Sequence, residues 1–216
     1  MKILLLENQG IVRAGFKALL KETVPSAEVH EAADYAQAIA ILLDTPIDFA
    51  FLDIHLADED VNTGLDVLHY IHAQALATRA VMLSIYDDEV TVMNCLQAGA
   101  FGYISKAMNG DSLLQEALET VLQGQVFLPP SVIGASGVTR GLAKTPEALG
   151  IKGRAVDVLF YLCQGYSNQQ IANKLSLAEN TVRKDYVSNL LKRFNVKSRT
   201  QLLVEIARQG IVIPKP

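Results

Sequence analysis

Five side chains able to handle a phosphoryl group lie in the first half of the sequence, each just after an apolar run: Glu7 and Asn8, Asp53, Ser84 and Lys106. A carboxylate can act as a nucleophile and carry an acyl phosphate. A hard divalent cation takes oxygen ligands and neutralises charge on the phosphoryl group as it moves. A hydroxyl and an ammonium can bind the phosphate oxygens. The set suits transfer of a phosphoryl group to Asp53, provided the fold brings its members together.

The intervening pattern predicts that it does. Strand-like apolar runs at Lys2–Leu6, Glu28–Ala32, Phe49–Ile54, Ala80–Ser84 and Gly102–Ile104 alternate with amphipathic stretches at Ile11–Glu22, Tyr35–Leu43, Gly64–Gln74, Val90–Ala98 and Ser112–Leu122. Five such units in order imply a parallel sheet with helices on both faces, a flavodoxin-like doubly wound α/β fold. The runs Ile3–Leu6 and Phe49–Leu52 are apolar throughout, as strands covered on both sides must be. Ligands of such sheets gather outside the carboxyl ends of the strands. There the first, third, fourth and fifth strands deliver the five residues.

Pro129-Pro130 ends this pattern, and the Ser-, Gly-, Ala- and Thr-rich stretch beyond it reads as a linker. Four helical segments come next: Arg154–Cys163, Asn168–Leu175, Glu179–Phe194 and Thr200–Gln209. The predicted organisation is residues 1–126, a linker over 127–148, and a small all-α four-helix domain over 149–216. Charge divides the same way. Residues 1–150 hold 8 Lys+Arg against 19 Asp+Glu, a net −11, and residues 151–216 hold 11 against 4, a net +7. A compact basic module is the electrostatic footprint of a polyanion-binding surface. Ser167 reads as the N-cap of a helix buried through Ile171, Ala172 and Leu175. A short turn at Ser176–Ala178 leads into a second helix that opens with polar and basic residues. That is helix-turn-helix geometry, in which the start of the second helix faces base edges in the major groove. Arg183 and Lys184 are available for guanine edges or phosphates, and Lys192, Arg193, Lys197 and Arg199 for phosphates.

Several classes are disfavoured. No apolar run reaches the roughly 18 residues of a membrane helix, and Glu7 arrives too early for a secretory signal. Cys95 and Cys163, far apart on predicted helices, read as buried free thiols of a cytoplasmic protein. The sequence has no P-loop, dinucleotide-binding glycine fingerprint, paired metal-binding His or Cys, or nucleophile elbow, so it is not read as an enzyme.

Over residues 1–125 the chain resembles the receiver domains of two-component response regulators. The resemblance rests on the strand end Ile3–Glu7, on Asp53-Ile54-His55-Leu56, on Ser84, and on Ala98-Gly99-Ala100-Phe101-Gly102-Tyr103-Ile104-Ser105-Lys106. It implies that Asp53 is the phosphoacceptor for a sensor histidine kinase, Ser84 the switch hydroxyl, Tyr103 the switch aromatic and Lys106 the phosphate clamp. It further implies Mg²⁺ held by Glu7, Asn8, Asp53 and the backbone carbonyl of His55. Two features depart from that pattern. Asn8 stands where a second acid is usual, and an amide oxygen ligates without charge. The loop Ala57-Asp58-Glu59-Asp60-Val61-Asn62-Thr63 replaces a shorter Pro-Gly turn, so Gly64 falls about three residues late. Its acids either supply a substitute ligand or form a solvated charge run. Two mechanisms are compatible with these residues: phosphorylation at Asp53, or a degenerate receiver working through dimerisation, a small ligand or another protein.

From about Ile151 to Ile211 the chain resembles the DNA-binding domains of the LuxR/NarL/FixJ group, through Gly165-Tyr166-Ser167-Asn168-Gln169-Gln170-Ile171-Ala172 and Val196-Lys197-Ser198-Arg199-Thr200-Gln201. That implies a DNA-binding transcription regulator that pairs as a homodimer, with the last helix helping to form the dimer. Here too there are departures. Ile151-Lys152-Gly153-Arg154-Ala155 keeps chiefly the arginine of the usual Leu-Thr-Pro-Arg-Glu opening. The second helix of the pair is one residue longer than the family pattern, and removing Asp185 would restore the register. An extra residue rotates the remainder of the helix by about 100° unless a π-bulge absorbs it. The rival from another class is a protein-interaction adaptor whose C-terminal module no longer binds DNA.

Overall fold

In a computed structural model, which describes residues 1–56, 63–107, 111–133 and 144–216, the five apolar runs form one parallel sheet. The strands are β1 (Lys2–Leu6), β2 (Glu28–Ala32), β3 (Phe49–Asp53), β4 (Arg79–Ser84) and β5 (Gly102–Ser105), in the order β2-β1-β3-β4-β5. That order reverses direction between β1 and β3, which opens a crevice at their carboxyl ends. Ile3–Leu6 and Ala50–Leu52 are wholly buried, because α1 (Gly10–Thr23) and α5 (Asp111–Leu122) cover one face and α2 (Tyr35–Asp44), α3 (Gly64–Ala73) and α4 (Glu89–Gln97) the other. Local signals set several helix starts. Asp34 and Asp88 accept from the backbone N–H groups of Gln37 and Thr91, and Thr63 with Asp66 forms a capping box at α3.

The segment expected to begin the linker stays with the sheet at first. Phe127 and Leu128 are buried, and the Phe127 carbonyl accepts from the Tyr103 N–H at 2.9 Å. A short helix, α6 (Pro130–Ile133), comes next. Beyond a 3-10 turn at Glu147–Leu149 lie α7 (Arg154–Cys163), α8 (Asn168–Leu175), the paired segments α9 (Glu179–Thr181) and α10 (Ser188–Arg193), and α11 (Arg199–Gln209). Val182–Val187, between α9 and α10, forms a π-helical turn. The extra residue at Asp185 is absorbed there, so Val182, Leu190 and Phe194 all remain in the core.

The two halves pack along a continuous seam. α11 lies against α4 and α6 as well as α7. Gly99 and Gly165, each in a left-handed turn just past a helix, meet backbone to backbone: a Cβ on Gly165 would fall 2.8 Å from the Gly99 Cα. Around them the Tyr166 hydroxyl donates to the Leu76 carbonyl and the Gln170 side chain donates to the His72 carbonyl at 2.8 Å. The C-terminal tail then crosses the amino ends of the strands. Ile213 donates its N–H to the Gly124 carbonyl, and Lys215 pairs with Asp48 at 3.1 Å.

Candidate phosphoacceptor site and nucleic-acid interface

The carboxyl ends of β1, β3, β4 and β5 do converge. Glu7 and Asp53 are almost fully buried, and the Lys106 ammonium lies between them, 2.6 Å from Glu7 Oε2 and 2.8 Å from Asp53 Oδ2. The Gln9 N–H donates to the other Glu7 oxygen at 3.0 Å. Burial raises the Asp53 carboxyl above the usual aspartate range, against the pull of Lys106 and with a further upward push from Glu7. Lys106 opposes that rise by favouring the ionised carboxylate, the form a nucleophile would need. Ser84 is fully buried, its hydroxyl accepting from the Tyr86 N–H at 3.1 Å. Tyr103 is already turned inward, its hydroxyl donating to the Tyr86 carbonyl at 2.5 Å, and burial pushes that phenol up to about 12. Tyr103, the aromatic that the resemblance implies as the switch, therefore lies inward in this structure.

His55 behaves as a backbone contributor. Its N–H lies 3.3 Å from Asp53 Oδ1, while its ring packs edge-on against Tyr86 instead of entering the pocket. Asn8 Oδ1 is buried with no hydrogen-bond partner, an acceptor lone pair waiting for a donor or a cation. Two carboxylates, this orphaned amide oxygen and the His55 carbonyl fit a hard divalent cation in kind. Among the described residues no cluster of three or more His, Cys, Asp or Glu side chains exists, so such a cation would rely on neutral oxygens for part of its shell. The substitute ligands anticipated at Asp58, Glu59 and Asp60 lie outside the described residues. Sequence reasoning missed the purpose of the displaced Gly64: a Cβ there would sit 2.1 Å from the Asp53 carbonyl oxygen. Only glycine lets α3 start against the end of β3.

The helix pair is formed as expected. Ser167 caps α8 and completes a capping box with Gln170. Arg183, Lys184, Lys192, Arg193 and Lys197 are exposed, with Arg183 turned back toward Asn180 and Glu179 and Arg193 donating to the Leu149 carbonyl. Arg199 corrects the sequence reading. Its guanidinium is buried and donates to the carbonyls of Tyr166, at 2.7 Å, and of Leu162, closing the carboxyl end of α7. Burial draws it down to about 10. It is a structural cation, its terminal nitrogens taken up by the carbonyls of Tyr166, Tyr161 and Leu162.

An acidic crevice at the switch point of a five-stranded parallel sheet, joined to a helix-turn-helix, defines a response regulator with a DNA-binding output domain. Comparison with known proteins agrees. Residues 3–118 match the response regulator receiver domain, and residues 153–206 match the luxR family of bacterial regulatory proteins. The nitrate/nitrite response regulator protein homolog of Haemophilus influenzae is 30% identical, over 97% of this chain and 98% of its own. The transcriptional regulatory protein LnrK of Bacillus subtilis is 28% identical over 99% of both. The RcsB response regulator of Salmonella typhimurium shares the fold, with a TM-score of 0.54 over 94% of this chain and 96% of that one at 19% identity. The chain belongs to the LuxR/NarL/FixJ family of response regulators.

Proposed function

We propose that this protein is a cytoplasmic transcription regulator whose DNA binding is controlled by phosphorylation of Asp53 by a partner histidine kinase. The observation that carries the reading is the buried Glu7–Lys106–Asp53 cluster beside Ser84, in a chain whose other half presents an exposed basic helix. An Asp53 carboxylate oxygen attacks the phosphorus of the kinase phosphohistidine, forming the acyl phosphate as the P–N bond breaks. Lys106 moves from the carboxylates to the new phosphate oxygens, and the Ser84 hydroxyl donates to another. Mg²⁺, held by Glu7, Asn8, Asp53 and the His55 carbonyl, would supply charge neutralisation there.

The output runs through the loop after β4. Tyr103 holds the Tyr86 carbonyl, and Ser131 of α6 donates to the Asp87 carbonyl. Recruiting Ser84 to a phosphate moves that loop, and with it α6 and the α4–α11 seam. The receiver (1–126) and the DNA-binding part (149–216) then separate through the 127–148 linker. That uncovers α11 for pairing with a second copy on two half-sites.

Intact-protein mass after incubation with a small phosphodonor, with and without Mg²⁺, tests the first half. One Mg²⁺-dependent phosphoryl adduct is expected, and none in Asp53→Asn. No adduct at high Mg²⁺, nor on transfer from a kinase, would favour the phosphorylation-independent receiver, which the missing acid at Asn8 already points toward. Gel shifts on genomic fragments at two salt concentrations test the second half. The absence of any shifted band would leave an interaction adaptor.

A further inference from the structure

Within the second helix, Asp185 is an exposed acid with no basic partner among the described residues, where a polyanion is to bind. We infer that Asp185 is a specificity-determining residue of the DNA interface, accepting a hydrogen bond from the exocyclic amine of a cytosine in the major groove. This deepens the DNA-binding reading above and rests on it.

The placement of Asp185 is a consequence of the π-helical turn. Val182, Leu190 and Phe194 are buried, and Tyr186 and Val187 half-buried, which leaves Arg183, Lys184, Asp185 and Asn189 exposed. The Ser188 N–H reaches back five residues to the Arg183 carbonyl. Such a turn leaves a backbone carbonyl without its usual partner. Here the Asn189 side-chain amide donates to the Asp185 carbonyl at 2.6 Å. The wide turn is therefore braced at the residue that causes it. The Asp185 carboxylate itself has no hydrogen-bond or ion-pair partner among the described residues, while the neighbouring Arg183 is engaged by Asn180 and Glu179. Lys152 and Arg193 line the same cleft as Asp185, so bases flank the acid. They offset its repulsion of the nucleic-acid backbone.

The chemistry narrows the partner. A carboxylate has only acceptors, so phosphates repel it, as do the N7 and O6 acceptors of guanine. Adenine offers its N6 amine beside the N7 acceptor, and a carboxylate meets one favourably and the other not. Cytosine offers an N4 amine with no acceptor beside it on that edge. A partnerless acid held on the recognition surface thus selects cytosine. An asparagine in its place would select adenine, which it can contact through N6 and N7 together.

Selection from a random duplex pool, using the full chain and the Asp185→Ala and Asp185→Asn variants, tests this. The wild type is expected to prefer cytosine at one position of its motif by about tenfold over the other bases. Asp185→Ala should lose that preference alone and bind random DNA more tightly. Asp185→Asn, which preserves size, should move the preference to adenine. A wild-type motif unchanged at every position in Asp185→Ala would overturn the assignment and leave DNA binding intact. A wild type that selects no sequence would overturn the DNA-binding reading and this inference with it.

Discussion

Two cations, half-buried Lys106 and buried Arg79, stand at opposite ends of the receiver sheet, and they are held by different means. At the carboxyl ends, Lys106 is clasped by two buried carboxylates. At the amino ends, Arg79 opens β4 at 7% exposure, with Nη2 donating to the Ile213 carbonyl at 2.7 Å. No carboxylate lies within ion-pair distance of Arg79 among the described residues. Its guanidinium instead stacks on three rings, 4.9 Å from Phe160, 5.0 Å from Phe101 and 5.5 Å from Phe49. Burial lowers it to about 10. Phe160 and Ile213 belong to the DNA-binding half, so docking of the two halves is what completes the surroundings of Arg79. In the proposed mechanism Lys106 exchanges one anion for another, whereas Arg79 pegs the two halves together. The difference lies in what each leaves behind when removed.

Asp53→Asn gives the largest expected effect, complete loss of the phosphoryl adduct by mass, and it leaves Lys106 paired with Glu7. Substituting methionine for each cation sharpens the contrast. Lys106→Met strands two buried carboxylates and should cost about 3 kcal/mol in denaturant unfolding, together with the phosphorylation response. Arg79→Met leaves only a carbonyl and apolar rings, so its stability should stay within about 1 kcal/mol of wild type, with phosphorylation unimpaired. A loss as large as that of Lys106→Met would break the comparison.

Gly64→Ala should cost about 2 kcal/mol, because the new Cβ meets β3 backbone that cannot yield cheaply. It should also slow Asp53 phosphorylation, read as the rate of adduct formation.

The seam has a pH dependence of its own. His72 Nε2 meets the Gly99 carbonyl at 3.1 Å, and burial at the seam, with smaller pushes from Arg199 and His69, lowers the imidazole to about 4. A base whose docked value lies below its free value stabilises docking fully above pH ~6.5, and the contribution is lost as pH falls toward 4. At pH 5.5 the seam should be weaker by about 1 kcal/mol. Small-angle scattering at pH 7.5 and 5.5 should show expansion in the wild type and much less in His72→Gln. The smallest effects belong to the exposed bases: Lys184→Ala or Lys197→Ala should each lower the salt dependence of DNA binding by about one counterion.

The five strands and the meeting of Glu7, Asp53, Ser84 and Lys106 at their carboxyl ends were legible in the sequence. Continuous apolar runs and period-3.6 patterns are local, and the topology of a parallel sheet then places every strand end on one edge. The helix-turn-helix was legible for the same reason, through Ser167 and the stripe Ile171, Ala172 and Leu175. Tertiary structure alone decided how the long side chains and glycines are used. Arg199 looks like a phosphate contact in sequence, yet it folds back onto the carboxyl end of α7. Arg79 meets a carbonyl 134 residues away, Gly64 is required by the Asp53 carbonyl, and the extra residue at Asp185 becomes a π-helical turn instead of a broken register. A flexible side chain takes whichever partner packing brings within reach, and that partner is set by contacts between elements that no local pattern encodes.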